Sequence, residues 1–75
     1  MKLINEGSNQ NSVILGYDSI FFSYETPVAA LVDGEYFRTE KFWSVTTSRH
    51  INNWLDGVKA TEKPQEFFDN LIGDI

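Results

Sequence analysis

The 75-residue chain contains no cysteine, which removes disulfide staples and thiolate metal sites together. It has no long apolar run. The longest, Val28–Val32, spans five residues, against roughly 20 for a membrane helix. Histidine occurs once, at His50, and a lone histidine without cysteine does not furnish a zinc set. Gly7, Gly16, Gly34, Gly57 and Gly73 are dispersed. They form neither G-x-G-x-x-G nor G-x-x-x-x-G-K, so no phosphate cradle is encoded. Basic residues are few, six against eleven acidic ones, for a formal charge of −5. That balance argues against a nonspecific electrostatic grip on nucleic acid. It suits either a basic protein partner or solubility alone.

Aromatic residues are plentiful: six Phe, three Tyr and two Trp. A domain of this size buries roughly 60% of the surface its unfolded chain exposes. Each aromatic can contribute about 150–250 Å², so the composition implies a densely packed core, or a core plus one adhesive surface. The first residues, Met1–Glu6, carry no apolar stretch of signal-peptide length. With the absence of cysteine, this sets the expectation of a cytoplasmic protein without membrane association.

Residues 5–12 are polar and turn-rich and separate a short start, Lys2–Ile4, from the apolar run Val13–Leu15. Gly16-Tyr17-Asp18 reads as a tight turn. Ser19–Tyr24 is rich in β-formers and too short for a helix. Pro27 begins a new strand or bends the old one. Asp33-Gly34 predicts a two-residue type I′ turn, because both central positions need φ > 0. That turn sets Val32 opposite Glu35, Leu31 opposite Tyr36, Ala30 opposite Phe37 and Ala29 opposite Arg38. Alternation then gives one face with Val28, Ala30, Val32 and Phe37, the better core, and a second with Leu31, Tyr36, Ala29 and Arg38. Phe42–Val45 reads as a further short strand. Thr46, Thr47 and Ser48 are candidate N-caps for a helix carrying Ile51, Trp54 and Leu55 on one stripe and ending at Gly57. Val58–Lys63 reads as a linker. Pro64 marks the first turn of a second helix, with Phe67, Phe68, Leu71, Ile72 and Ile75 on its buried side. Strands followed by helices give an α+β domain: a meander of three to five antiparallel strands over about 12–46, a helix over about 47–56 and a C-terminal helix over about 62–74, both helices on one face.

No spacing specifies a reaction. Ser44 and Ser48 lie near His50, but neither is marked as an activated nucleophile. A capping or packing histidine accounts for His50 as well. Arg49 beside a hydroxyl-rich helix start is compatible with an anion site, and equally with an ordinary N-cap and a surface arginine. Glu62, Glu66 and Asp69 at i, i+4, i+7 suggest an acidic stripe, which a solvated helix face also explains. No cofactor or metal is implied.

Two segments carry a resemblance. Ser23-Tyr24-Glu25-Thr26-Pro27-Val28-Ala29 and Trp43-Ser44-Val45-Thr46-Thr47-Ser48-Arg49-His50-Ile51-Asn52 resemble the motifs S-Y-x-T-P-V-A and W/Y-S-x-T-T-S/G-R/K-H-I/L-N of a family of short proteins from bacteriophages, plasmids and their prokaryotic hosts. The resemblance covers about residues 20–55 and leaves the helix after Pro64 outside. It brings no reaction with it. It implies a small binding protein of mobile-element origin that blocks a host protein, a defence nuclease among the possible targets.

The reading that follows is a non-enzymatic protein-binding module whose partner is a host protein or a second copy. Leu31, Tyr36 and one of Phe21 or Phe42 are expected to form an exposed apolar patch on the second face, with Arg49 and His50 as further partner-binding residues. The competing arrangement folds Lys2–Ile4 back over that face. The alternative function is a small nucleic-acid-associated protein using Arg38, Lys41 and Arg49.

Overall fold

The computed structural model describes residues 2–73. In chain order the elements are β1 (Lys2–Gly7), β2 (Gln10–Leu15), β3 (Asp18–Ser23), β4 (Thr26–Val32), β5 (Glu35–Thr39), α1 (Val45–Leu55), β6 (Thr61–Lys63) and α2 (Gln65–Gly73). The strands form one six-stranded sheet in the order of the chain. Every neighbouring pair is antiparallel except β5 with β6, which is parallel. The fold is α+β.

The meander arises from four successive two-residue turns. Asp33 and Gly34 have φ of 52° and 81°, the left-handed pair of a type I′ turn. The β4–β5 register follows from it, with Val32, Leu31, Ala30 and Ala29 opposite Glu35, Tyr36, Phe37 and Arg38. Ser8-Asn9 joins β1 to β2 and Gly16-Tyr17 joins β2 to β3, with positive φ at Asn9 and Gly16. Tyr24-Glu25 joins β3 to β4.

The helices lie on opposite faces of the sheet, not on one. Tyr36 and Phe37 are adjacent on β5 and so point to opposite sides. Trp54 of α1 meets Tyr36 edge-on at 5.9 Å and stacks on Phe21 at 5.3 Å. Phe67 of α2 meets Phe37 at 5.1 Å. Two small cores result. Phe21, Val28, Ala29, Ile51 and Leu55 pack under α1. On the other side the Ala30–Phe37 pair lies under α2, whose Phe68 is fully buried. The expected division of strand faces fails at one residue. A bulge between Phe21 and Phe22 sets Phe22 opposite Pro27 and Phe21 opposite Ala29, leaving Val28 unpaired. A bulge interrupts the alternation, and Val28 joins the α1 core instead of the Ala30 face.

Other expectations are corrected at the sheet margins. Strand β1 runs through the polar residues to Gly7, so the sheet starts well before residue 12 and has six strands. Phe42–Val45 is not a strand: Thr39 ends β5, and Val45 is already helical. Ser44 is the N-cap of α1, its Oγ accepting from the Thr47 N–H at 3.0 Å, in place of the expected Thr46, Thr47 or Ser48. The helix ends with Asp56 at φ 49° and Gly57 at φ 83°. The expected linker contains β6, and Glu62 belongs to that strand. It therefore shares no helix with Glu66 and Asp69. Ile75 lies outside the described residues. Among those described, no helix is long and apolar enough to cross a membrane.

Candidate functional site

The two motif segments meet where the β3–β4 turn abuts the start of α1. Ser23 ends β3 with its side chain toward α1. Its Oγ lies 3.1 Å from Thr47 Oγ1 and 2.9 Å from His50 Nδ1. Thr47 and His50 are one turn apart on α1 and therefore share a face. One hydroxyl has one proton to give. If Ser23 donates to His50, Thr47 donates to Ser23; in the other tautomer the direction reverses. All three residues are buried, Ser23 to 1% exposure. This network joins a strand end to a helix and satisfies polar groups that burial would otherwise leave costly. Among the described residues no carboxylate bonds to it, and the Ser23 oxygen is enclosed. The network ties the end of β3 to α1.

Beside the network stands Tyr24. Among the described residues, four other than glycine have positive φ: Asn9, Tyr24, Asp33 and Asp56. Asn and Asp tolerate the left-handed region; a bulky aromatic there is an outlier. The contrast within the sheet is direct. The first central residue of the β2–β3 turn is Gly16 at φ 63°, whereas the same position of the β3–β4 turn is Tyr24 at φ 58°. The Tyr24 N–H is tied to the Asn9 carbonyl at 2.7 Å. Its ring covers His50 at a centroid distance of 5.9 Å and stays 49% exposed.

Tyr24 and Trp43 wall a depression of about 200 Å³ whose lining includes the hydroxyl residues Ser23, Thr26, Ser44 and Thr47. On its other side Tyr24 borders a second depression of about 310 Å³ with Leu3, Val13 and Phe22. Gln65, the first residue of α2, fixes Trp43. Gln65 Oε1 accepts from Trp43 Nε1 at 3.0 Å and from Thr39 Oγ1 at 2.9 Å, while Nε2 donates to the Pro27 carbonyl at 2.7 Å and to Asp69 Oδ1 at 3.1 Å. Lys41 Nζ sits 4.1 Å from the Trp43 ring centroid, within cation–π range. Phe42 and Val45, flanking Trp43 and Ser44, are 69% and 66% exposed.

The residues anticipated for partner binding divide into two groups. Phe21, Leu31 and Tyr36 lie on the α1 side: Phe21 is fully buried, and Tyr36 packs against the core beneath Trp54. On that face α1 buries Phe21, and Leu31 and Tyr36 are half-buried. The cover is not the N-terminal segment, which pairs with β2 as β1. Phe42, Arg49 and His50 lie at or just before α1, with Phe42 and Arg49 exposed and His50 buried. Of the three cations of the alternative reading, Arg38 Nη1 donates to Asn52 Oδ1 at 3.0 Å, Lys41 rests on Trp43, and Arg49 is exposed. Tyr24, Trp43 and Gln65 were missed as site residues. The available signal was a strand-to-strand connection at Tyr24-Glu25 without the glycine or asparagine that such turns favour.

A model of the family DUF8033, described as a family of unknown function, matches residues 1–70. The chain belongs to DUF8033. The match takes in β1, β2 and α2 as far as residue 70, beyond the motif-bearing residues 20–55. The α2 residues that hold Trp43 and fill the second core are accordingly within DUF8033 and not an appendage of this chain. No curated protein and no solved structure matches the chain.

Proposed function

We propose that this DUF8033 protein is a non-enzymatic protein-binding module whose contact surface is centred on Tyr24. The observation that carries the reading is a half-exposed tyrosine held at φ 58°, in a position that glycine fills in the neighbouring turn. Residues kept in unfavourable backbone regions cluster at functional sites. Trp43 lines the same depression as Tyr24, and exposed Phe42 and Val45 flank Trp43 and Ser44 in the chain, aromatic and apolar groups of the kind that anchor protein interfaces. A larger exposed apolar patch marks an interaction site more often than scattered residues do. The enclosure of Ser23 supports the non-enzymatic reading, since an acyl-transfer nucleophile must reach its substrate. The resemblance to phage and plasmid proteins extends the proposal to a host protein as the target, one of defence or regulation, and the net charge of −5 suits a basic surface on it.

The experiment is affinity capture from lysate of the native host, read by mass spectrometry. Bait proteins are the parent, Trp43→Ala, and Tyr17→Ser as a control at a residue 98% exposed in the β2–β3 turn. A host protein retained by the parent and Tyr17→Ser but lost with Trp43→Ala is expected. A partner that ignores Trp43→Ala and depends on Tyr17 places the surface elsewhere.

A further inference from the structure

The sheet has two edges, β1 and β6. β6 has three residues, and very short edge strands are poor templates for pairing. β1 has six, mostly exposed, with Leu3 70% exposed. The turns determine which of its backbone groups face outward. A two-residue hairpin closes on a hydrogen-bonded pair, and such pairs alternate with non-bonded ones along the ladder. The β2–β3 turn closes on Leu15 opposite Asp18. Leu15, Val13 and Asn11 therefore address β3, and Ile14 and Ser12 address β1. Their partners are Lys2 and Ile4, whose N–H and C=O groups are spent on β2. Leu3 and Asn5 direct theirs to the open side.

We infer that β1 pairs antiparallel with β1 of a second copy, about a two-fold axis at Ile4. Leu3 then exchanges hydrogen bonds with Asn5 of the partner subunit, and Asn5 with Leu3 of the partner subunit. Ile4 meets its own counterpart. Lys2 falls opposite Glu6 of the partner subunit, and Glu6 opposite the partner's Lys2. Charge complementarity selects this register. Sliding the pair two residues one way puts Lys2 opposite Ile4 of the partner subunit; sliding it the other way puts Ile4 opposite the partner's Glu6. Neither matches a charge. A lysine on an edge strand normally deters pairing, and here the chain carries the carboxylate that answers it only in the self-pair. Glu6 accepts from Ser12 Oγ through Oε2 at 3.0 Å, and a carboxylate can accept at both oxygens. The bulge between Asn5 and Gly7 lies at the end of the paired span and leaves Leu3–Asn5 regular. On the face away from α1, the pairing sets two exposed Leu3 side chains diagonally across the join, beside the depression that contains Val13 and Phe22. This surface does not depend on the assignment of Tyr24.

The test is sedimentation or light scattering over a dilution series. The parent is expected to dimerise reversibly. Lys2→Glu and Glu6→Lys each set like charges opposite one another twice, weakening the dimer roughly five- to thirty-fold. Mixing the two variants, or combining the substitutions in one chain, restores association. Leu3→Pro removes an outward N–H and no bond to β2, so it abolishes the dimer while leaving the monomer's circular dichroism intact. A parent that stays monomeric throughout overturns the inference. So do single reversals without effect, or a double reversal that fails to rescue.

Discussion

Replacing Ser23 by Ala removes one oxygen from the buried cluster of Ser23, Thr47 and His50. Two hydrogen bonds are lost, to Thr47 at 3.1 Å and to His50 at 2.9 Å. The loss is not symmetrical with their formation. In the unfolded chain both partners regain water, whereas in the folded variant they stay buried beside a methyl group. A net hydrogen bond contributes about 1 kcal/mol, and a buried group left unsatisfied costs about 1–3 kcal/mol. Relaxation of the Thr47 hydroxyl toward other acceptors recovers part of this, which gives a loss of about 2–4 kcal/mol. For a domain of this length each kcal/mol shifts Tm by about 4–8 °C, so Tm falls by roughly 10–30 °C. The assay is thermal unfolding by circular dichroism, supported by a denaturant titration with an unchanged m-value. Ser12→Ala is the control, a buried serine with a single bond to exposed Glu6, and it is expected to lose about 1 kcal/mol. A Ser23→Ala protein within 0.5 kcal/mol of the parent, the scatter of ordinary surface substitutions, refutes the reasoning. The strand–helix junction would then rest on apolar contacts alone.

Gly34→Val is expected to lose about 1–3 kcal/mol through backbone strain, because Gly34 has φ 81° and no atom near enough to clash with a new Cβ. An unchanged melting midpoint removes the type I′ assignment. Gln65→Ala removes four hydrogen bonds, including that to the Trp43 indole. A loss of about 2–3 kcal/mol is expected with a red shift of tryptophan emission as Trp43 gains water, and unaltered emission contradicts the placement of Trp43. Lys2→Glu weakens self-association without lowering the monomer's stability, read from the same melts at high dilution.

Much of the meander was legible because its turns carry their own chemistry. Asp33-Gly34 and Gly16-Tyr17 announce positive φ, and the β4–β5 register follows from the first by counting. Tyr24-Glu25 announces nothing, so Tyr24 reads as the last residue of a strand and its backbone strain is visible only in three dimensions. β1 and β6 escaped for another reason. Each lies at a sheet edge with most side chains in water, so neither needs the apolar alternation by which strands are recognised. Trp43 and Phe42 looked like strand residues by composition; Ser44 capping α1 overrides that preference. The distribution of helices is a long-range matter. Tyr36 and Phe37 both being aromatic leaves the choice of face open, and Trp54 and Phe67 resolve it by taking one each. The Ser23–Thr47–His50 network joins residues 24 and 27 positions apart, which no local spacing reveals.

On the proposed function, Tyr24 is kept for contact and not for stability. The left-handed conformation costs a residue other than glycine about 1–2 kcal/mol. Asparagine tolerates that region better. Half-burial of the residue returns about 0.8–1.5 kcal/mol, half the value for full burial of a large apolar side chain. These terms nearly cancel. Tyr24→Asn is therefore the most direct measurement, with Tm and capture of the host protein determined on the same preparation. The expected outcome is a Tm within a few degrees of the parent and capture abolished. A Tm lowered by the amount typical of a core aromatic, with capture retained in proportion to the folded fraction, contradicts it.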